Sequence, residues 1–156
     1  MSAPHPSSEF VQHAASDMVA QGFPRMPAYV LMALTGSDEG RMTAAELSEQ
    51  LGVSPAAVST AVAYLTRIGF VRTQTVPGTR RHVYVVPDAW YTVTLSEPRY
   101  RAIAMQVRIA AEKLEPGPAR ERVETMAEFY EFLDDRMPTL LEEWNSRPDS
   151  APSSGP

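Results

Sequence analysis

Apolar side chains recur about every 3.6 residues in the first part of the chain, the spacing of an amphipathic helix. The first such stretch covers residues 8–21 and ends at Gly22. A second stretch opens at Pro24 and runs to about Thr35; it is apolar on most sides, which is typical of a buried helix. The apolar face of the first stretch consists of Phe10, Val11, Ala14, Ala15, Met18 and Val19. The pattern predicts a helix from each stretch and then a polar loop over residues 36–40.

Helix-start and helix-stop signals predict a further pair of helices. Thr43 and Glu46 are spaced as a capping box, and the helix that they begin ends at Gly52, which can adopt a left-handed backbone without steric cost. Ser54 is placed to cap the next helix, residues 55–68, because proline at position 55 suits a first helical turn. The inward face of this helix is formed by Val58, Val62 and Leu65. Two helices joined by so tight a turn are a helix-turn-helix.

A β-hairpin is predicted directly after the helix-turn-helix. Residues 70–76 and 82–86 are rich in β-branched and aromatic side chains, and Pro77-Gly78 between them is a strong turn signal. The tip of the hairpin carries Thr79, Arg80 and Arg81. The order helix, turn, helix, hairpin predicts a winged helix-turn-helix domain over residues 23–87, with the hairpin as the wing.

The C-terminal part of the chain predicts two more helices and a dimer interface. One helix begins near Tyr100, residues 116–118 break it, and a last helix runs from about Ala119 to Asn145, with Pro138 expected to bend or end it. Apolar residues on the last helix alternate in spacing between three and four, which is the seam of helices that pack lengthwise. The seam consists of Val123, Met126, Tyr130, Leu133, Met137, Leu140 and Trp144. We expect it to meet a second subunit; the alternative is packing against the chain's own first helix.

The predicted fold class is mainly α with a small β-hairpin wing (α+β), a winged helix-turn-helix whose flanking helices form a dimerisation region. Residues 7–22 and 88–146 are the two parts of that region, and Phe10, Val11, Ala14 and Met18 are its contacts on the first helix. Residues 1–6 and 147–156, rich in proline and serine, are expected to be disordered tails.

The distribution of charge points to a polyanionic partner, although the net charge of the chain is −5. No Asp or Glu occurs between Gln50 and Pro87, whereas four arginines do; the acidic residues collect elsewhere, notably over 112–143. DNA binding requires positive charge at the contact surface and not across the whole molecule. The acid-free segment coincides with the second helix of the helix-turn-helix and the wing, so double-stranded DNA is the expected partner.

The predicted contacts follow from the shape of the second helix. If Val58, Val62 and Leu65 point inward, its outer face is small, neutral to basic and free of carboxylates, so it can enter a major groove about 12 Å wide. Its first amides favour a phosphate, and the wing arginines reach the minor groove or the backbone. For Tyr64 the sequence leaves the core and the DNA surface equally open. The expected DNA-binding residues are Ser54, Pro55, Ala56, Ser59, Thr60, Ala63, Tyr64, Arg67, Arg72, Thr79, Arg80 and Arg81.

Residues 23–87 resemble the MarR superfamily, especially its GbsR-like branch. The resemblance lies in Met42-Thr43-Ala44-Ala45-Glu46-Leu47, in Leu51-Gly52-Val53-Ser54-Pro55-Ala56-Ala57-Val58-Ser59, in Ile68-Gly69-Phe70-Val71-Arg72 and in Pro77-Gly78-Thr79-Arg80-Arg81, with Phe23-Pro24-Arg25-Met26-Pro27 upstream. It implies a homodimeric regulator of a pseudo-palindromic operator, with the recognition helix in the major groove and the wing at the minor groove. It also implies release of DNA on binding a small molecule, so we expect a repressor that responds to a hydrophobic ligand.

Aromatic residues and methionine suit a hydrophobic effector. The expected pocket lies between the DNA-binding lobe and the dimer helices and is lined by Trp90, Tyr91, Tyr100, Met105 and Phe129, with Met126 and Tyr130. The alternative is that each of these residues belongs to the ordinary core or interface. Cysteine is absent and the three histidines are scattered, so no metal site or cofactor is expected. Without a membrane-spanning run or a signal sequence, the protein is expected in the cytoplasm. The sequence shows no nucleophile–base pair or phosphate loop and therefore no enzyme; the alternative function is a winged helix that binds an acidic protein instead of DNA.

Overall fold

The computed structural model describes residues 8–79, 81–88 and 99–147. The chain divides into two compact units, which we call the winged unit (residues 1–91) and the helical unit (residues 92–156). The described part of the winged unit contains α1 (Ser8–Ala20), α2 (Arg25–Thr35), β1 (Arg41–Thr43), α3 (Ala44–Leu51), α4 (Pro55–Arg67), β2 (Arg72–Thr75) and β3 (His82–Val85). The described part of the helical unit contains α5 (Arg99–Ala111) and α6 (Pro118–Asn145). The predicted fold class, mainly α with a small β wing, is confirmed.

The core of the winged unit lies where α2, α3 and α4 meet. Leu34, Leu47, Val58 and Leu65 have no exposed surface. The inward face predicted for α4 is therefore confirmed, and each such side chain contributes about 1.5–3 kcal/mol by its removal from water. Val11 of α1 belongs to the same core and is only 2% exposed. α1 is thus built into the winged unit, and Val11 has a core position and not the subunit contact expected for it.

The wing belongs to a three-stranded antiparallel sheet and not to a simple hairpin, since the strand order is β1-β3-β2. Arg41 and Arg72 both pair with Val85, from opposite sides of β3. Side chains alternate across a sheet. Met42 and Tyr84 accordingly pair on the face that packs against the core, while Arg41, Arg72 and Val85 share the other face. β1 was not predicted.

The local signals that predicted the helix-turn-helix are present as hydrogen bonds. The Glu46 amide donates to Thr43 Oγ1 at 3.2 Å, and the Thr43 amide donates to the Glu46 carboxylate at 2.7 Å, which completes the capping box. At the next helix the Ala57 amide donates to Ser54 Oγ at 3.2 Å. These two caps fix where α3 and α4 begin, and the cap at Ser54 sets the end of the turn between the two helices.

The turn depends on Gly52, which has φ +64° and ψ +35° after α3. A Cβ there would meet no atom within 4 Å, so a substitution would strain only the backbone. We expect Gly52→Ala to lower the free energy of unfolding by about 1–2 kcal/mol and Gly52→Asn by less, because asparagine tolerates the left-handed region. Urea denaturation of the three proteins would measure this order. Equal losses for alanine and asparagine would contradict the backbone explanation.

The helical unit is held together by small side chains and ion pairs between α5 and α6. Ala104 and Ala111 of α5 and Ala127 of α6 are buried. Arg101 pairs with Asp134 at 2.9 Å, and Arg108 forms a two-pronged pair with Glu131 at 2.5 and 2.6 Å. The Arg108 guanidinium lowers the pKa of Glu131 by hydrogen bonding. This pair therefore stabilises the folded unit at neutral pH, and its contribution is lost as the pH falls through that lowered pKa.

α6 is a continuous helix through Pro138, so of the two effects expected of this proline, a bend or an end near Met137, the end is wrong. The face of α6 toward α5 carries Ala127, Glu131 and Asp134. A second face is apolar and consists of Met126, Phe129, Leu133, Met137, Leu140 and Trp144, which we call the apolar stripe. Its members recur every three or four residues and so lie along one side of the helix. None of the helices in the described ranges is long and apolar enough to cross a membrane.

Candidate nucleic-acid interface

α4 presents a continuous exposed surface that contains no acidic residue, which we call the outer face of α4. Its members are Pro55, Ala56, Ser59, Thr60, Ala63, Thr66 and Arg67, and all are exposed. The opposite side of the helix is anchored in the core by Val58, Ala61, Val62 and Leu65. The small side chains leave the helix backbone accessible, so a groove of DNA could approach it closely.

The hydrogen-bonding capacity of this face is partly used within the helix. Thr60 Oγ1 donates to the Ala56 carbonyl at 3.0 Å, so its remaining capacity is that of an acceptor. Ser54 Oγ accepts from the Ala57 amide at the start of α4 and keeps its own proton to donate. Pro55 has no N–H, and the amide of Ala56 lies in the first turn, at the positive end of the helix dipole.

Tyr64 lies between the core and the outer face, which resolves the question that the sequence left open. Its ring is half-buried and meets Phe23 edge-on at a centroid separation of 5.9 Å. The Arg67 guanidinium lies over the same ring, 5.4 Å from its centroid. Tyr64 therefore packs against Phe23 on one side and orients Arg67 on the other. It contributes to the outer face of α4 mainly through Arg67.

The tip of the wing is a compact turn in which the Thr79 side chain is itself hydrogen-bonded, since its hydroxyl donates to the Val76 carbonyl at 3.1 Å. The Thr79 amide donates to the Val76 carbonyl at 3.1 Å, and Gly78 between them has φ +77°. Thr79 Oγ1 in turn accepts from the Arg81 amide at 3.1 Å. Arg81 is exposed beside this turn. Arg80, also predicted to contact DNA, lies outside the described residues.

Thr66 is a member of the outer face that sequence reasoning missed. It follows Ser59 by two helical turns and stands on the same side of α4. The helical periodicity of the sequence contains this signal, because residues 59 and 66 are seven apart. Arg72 is exposed as predicted, on the outer side of the sheet beside Val85.

The residues predicted for dimerisation fall into three groups in the structure. Val11 is in the core. Met126, Leu140 and Trp144 are exposed, as is Phe10. The half-buried members are Ala14, Met18, Val123, Tyr130, Leu133 and Met137. The predicted seam is therefore divided between the face of α6 toward α5 and the apolar stripe, which also includes Phe129.

The predicted effector pocket is only partly described, since Trp90 and Tyr91 lie outside the described residues. Tyr100 stacks on Tyr130 at 6.4 Å, and Phe129 contacts the same ring at 6.0 Å. Met105 is 56% exposed. Tyr100 and Phe129 therefore share an aromatic cluster across α5 and α6. Among the described residues, no group of three acidic or histidine side chains is arranged to hold a metal.

Two family models match adjoining parts of the chain. A model described as the MarR family matches residues 21–82, from the α1–α2 connection to the wing. A second, described as an MmpR5-like MarR family transcriptional regulator, matches residues 88–147. Together the two matches cover well over half of the chain. This protein belongs to the MarR family. Members of the family are transcription regulators, so the chain is a regulator and not an enzyme.

One solved structure supports the fold of this MarR family protein. A protein described as a transcriptional regulator is 21% identical, with a TM-score of 0.78 over 89% of this chain and 97% of its own. Sco3205, a MarR family regulator from Streptomyces coelicolor solved in complex with DNA, is 20% identical and matches 92% of this chain and 83% of its own with a TM-score of 0.44. AbsC, a MarR family regulator from the same organism, is 16% identical and matches 89% of this chain and 86% of its own with a TM-score of 0.43. A comparison with curated proteins finds no match.

Proposed function

We propose that this protein is a sequence-specific double-stranded DNA-binding regulator that acts in the cytoplasm as a homodimer. The observation that carries the proposal is the outer face of α4, which is exposed along the whole helix, is free of carboxylates and belongs to a MarR family fold. A helix with this surface can lie in a major groove without repulsion between side chains and phosphates. The exposed Arg81 on the wing supplies positive charge beside it.

Roles follow from the chemistry of each contact. Ser59, Thr60 and Ala63 would meet base edges, since they lie in the middle of the outer face. Ser54 and the Ala56 amide would hold a phosphate at the start of α4. Arg81, with Arg80, would reach the minor groove or the backbone. Phosphate contacts fix the register, and the contacts of the outer face choose the sequence.

The homodimer would form through the apolar stripe of α6. Met126, Phe129 and Leu140 are each at least half exposed, which is unusual for side chains of this size in one line. A helix of 28 residues with a lengthwise apolar face suits pairing with its own copy. Two copies would present two recognition helices to half-sites about 34–36 Å apart, so we expect a pseudo-palindromic operator.

We also propose that the protein represses transcription and is released from DNA by a small hydrophobic ligand, as the resemblance to the family implies. The aromatic cluster of Tyr100, Phe129 and Tyr130 is the part of the expected pocket that supports this role. Thermal-shift screening with aromatic and amphipathic compounds, followed by release from operator DNA, tests it. Placement in the GbsR-like branch stays a prediction, since the second family model describes MmpR5-like regulators.

Selection of bound fragments from a random DNA pool tests the central proposal. We expect an inverted repeat, and we expect affinity to fall steeply with salt because bound counterions are released from DNA. Arg81→Ala, alone or with Arg80→Ala, should weaken binding to all sequences, whereas Ser59→Ala should change the preferred bases. No binding even at low ionic strength would reject the proposal and favour a winged helix that contacts an acidic protein instead.

A further inference from the structure

A small groove beside the turn of the helix-turn-helix contains two polar side chains that suit a phosphate, those of Arg25 and Gln12. It has a volume of about 120 Å³ and is bounded by Gln12 of α1, by Arg25, Met26 and Tyr29 of α2, and by Leu51 and Val53 on either side of Gly52. None of these residues is acidic. Val53 directly precedes the cap of α4, so the groove adjoins the start of the outer face of α4.

Arg25 is held in place in this groove by an aromatic ring. Its guanidinium lies 5.4 Å from the centroid of the Tyr29 ring, and the Tyr29 hydroxyl is 3.3 Å from Ser16 Oγ. A guanidinium that stacks on a ring keeps its N–H edge available for other acceptors. Within the part of the chain that the structure describes, no carboxylate lies within ion-pair distance of Arg25, whereas Arg41, Arg101, Arg108 and Arg120 each have one.

We propose that Arg25, together with the side-chain amide of Gln12, binds a backbone phosphate of the DNA at the edge of the major groove that α4 enters. The phosphate would lie in the protein groove beside the turn. The Arg25 guanidinium would donate to the phosphate oxygens, and the side-chain amide of Gln12 would donate a further hydrogen bond. The contact extends the acid-free surface from α4 to the start of α2 and fixes how deeply α4 enters the DNA. This inference rests on the proposed function, because it needs DNA as the partner.

The test compares Arg25→Gln, Arg25→Lys and the wild-type protein by fluorescence anisotropy on the selected operator and on unrelated DNA, over a series of salt concentrations. Arg25→Gln keeps a polar side chain at this position but removes the charge, so we expect about a tenfold loss of affinity for both DNAs. The slope of log affinity against log salt should fall by about one for each subunit. Arg25→Lys should keep the slope and lose less affinity. The matched control is Lys113→Gln, which removes one positive charge from the helical unit. It should change neither the affinity for DNA nor the salt slope.

Ethylation of single DNA phosphates would show which phosphate Arg25 contacts. One ethylated phosphate per half-site should interfere with wild-type binding and not with Arg25→Gln. An unchanged slope for Arg25→Gln, or an equal fall for Lys113→Gln, would overturn the inference while leaving DNA binding intact. Absence of wild-type binding at low salt would instead overturn the proposed function, and this inference with it.

Discussion

Replacing both Met126 and Leu140 by glutamate is expected to give a folded monomer that binds operator DNA at least about 100-fold more weakly than the wild type. Both side chains belong to the apolar stripe and are 52% and 50% exposed in the single chain. The fully buried residues between α5 and α6, such as Ala104 and Ala127, are left unchanged by these substitutions. In a dimer they would place four carboxylates along an apolar interface, where burial of unpaired charge is strongly unfavourable.

The loss of DNA affinity follows from the loss of linkage between half-sites. One winged unit binds one half-site weakly, and the second binding event in a dimer becomes intramolecular, which raises the overall affinity by about 10²–10⁴. Sedimentation equilibrium would report the mass, anisotropy the affinity, and circular dichroism the helix content. We expect the helix content to be unchanged.

Phe132 supplies a matched control on the same helix. It is 54% exposed but lies off the apolar stripe, where the Arg136 guanidinium covers its ring at 5.6 Å. Phe132→Glu should remain dimeric and bind DNA normally, whereas Phe129→Glu, three residues earlier and on the stripe, should weaken the dimer. Equal behaviour of the two variants would show that the apolar stripe is not the interface.

The elements whose limits are set by local chemistry could be predicted from the sequence. Thr43, Glu46, Gly52 and Ser54 each act through atoms within four residues, so the limits of α3 and of the start of α4 follow from the order of the residues alone. The outer face of α4 could be predicted for a similar reason. Once Val58, Val62 and Leu65 are assigned to the core, helical geometry decides which residues face outward.

The elements that depend on distant partners could not be predicted. β1 is three residues long, contains one apolar side chain, and forms only because β3, some forty residues later, lies beside it. Likewise the spacing on α6 indicates a lengthwise apolar seam but not which side of the helix meets α5. The side that meets α5 carries the buried Ala127 and the ion pairs of Glu131 and Asp134 with α5 arginines, and these depend on residues of α5. This leaves Phe129, which the seam omitted, exposed on the apolar stripe.

A single carboxylate on the outer face of α4 is expected to abolish operator binding without unfolding the protein. Ala63 is exposed in the middle of this face, and glutamate is a good helix former, so Ala63→Glu should leave the thermal stability nearly unchanged. In the complex the added charge would lie between phosphates in a groove from which water is largely excluded, and like-charge contacts of this kind cost several kcal/mol. We therefore expect a loss of at least about 100-fold in affinity for operator DNA, measured by anisotropy at moderate salt.

Two further variants distinguish the effect of a charge at position 63 from the effect of side-chain size and from the effect of the protein's net charge. Ala63→Gln has the same size without the charge, so its loss should be smaller and should not depend on salt beyond the wild-type dependence. Ala20→Glu makes the same substitution on an exposed site at the end of α1 and should bind as the wild type does. If Ala20→Glu lost as much affinity as Ala63→Glu, total charge would govern binding; if Ala63→Glu bound normally, α4 would not be the recognition helix. The difference in operator affinity between the glutamate and glutamine variants at position 63 therefore isolates the repulsion between a charge on the outer face of α4 and the phosphates.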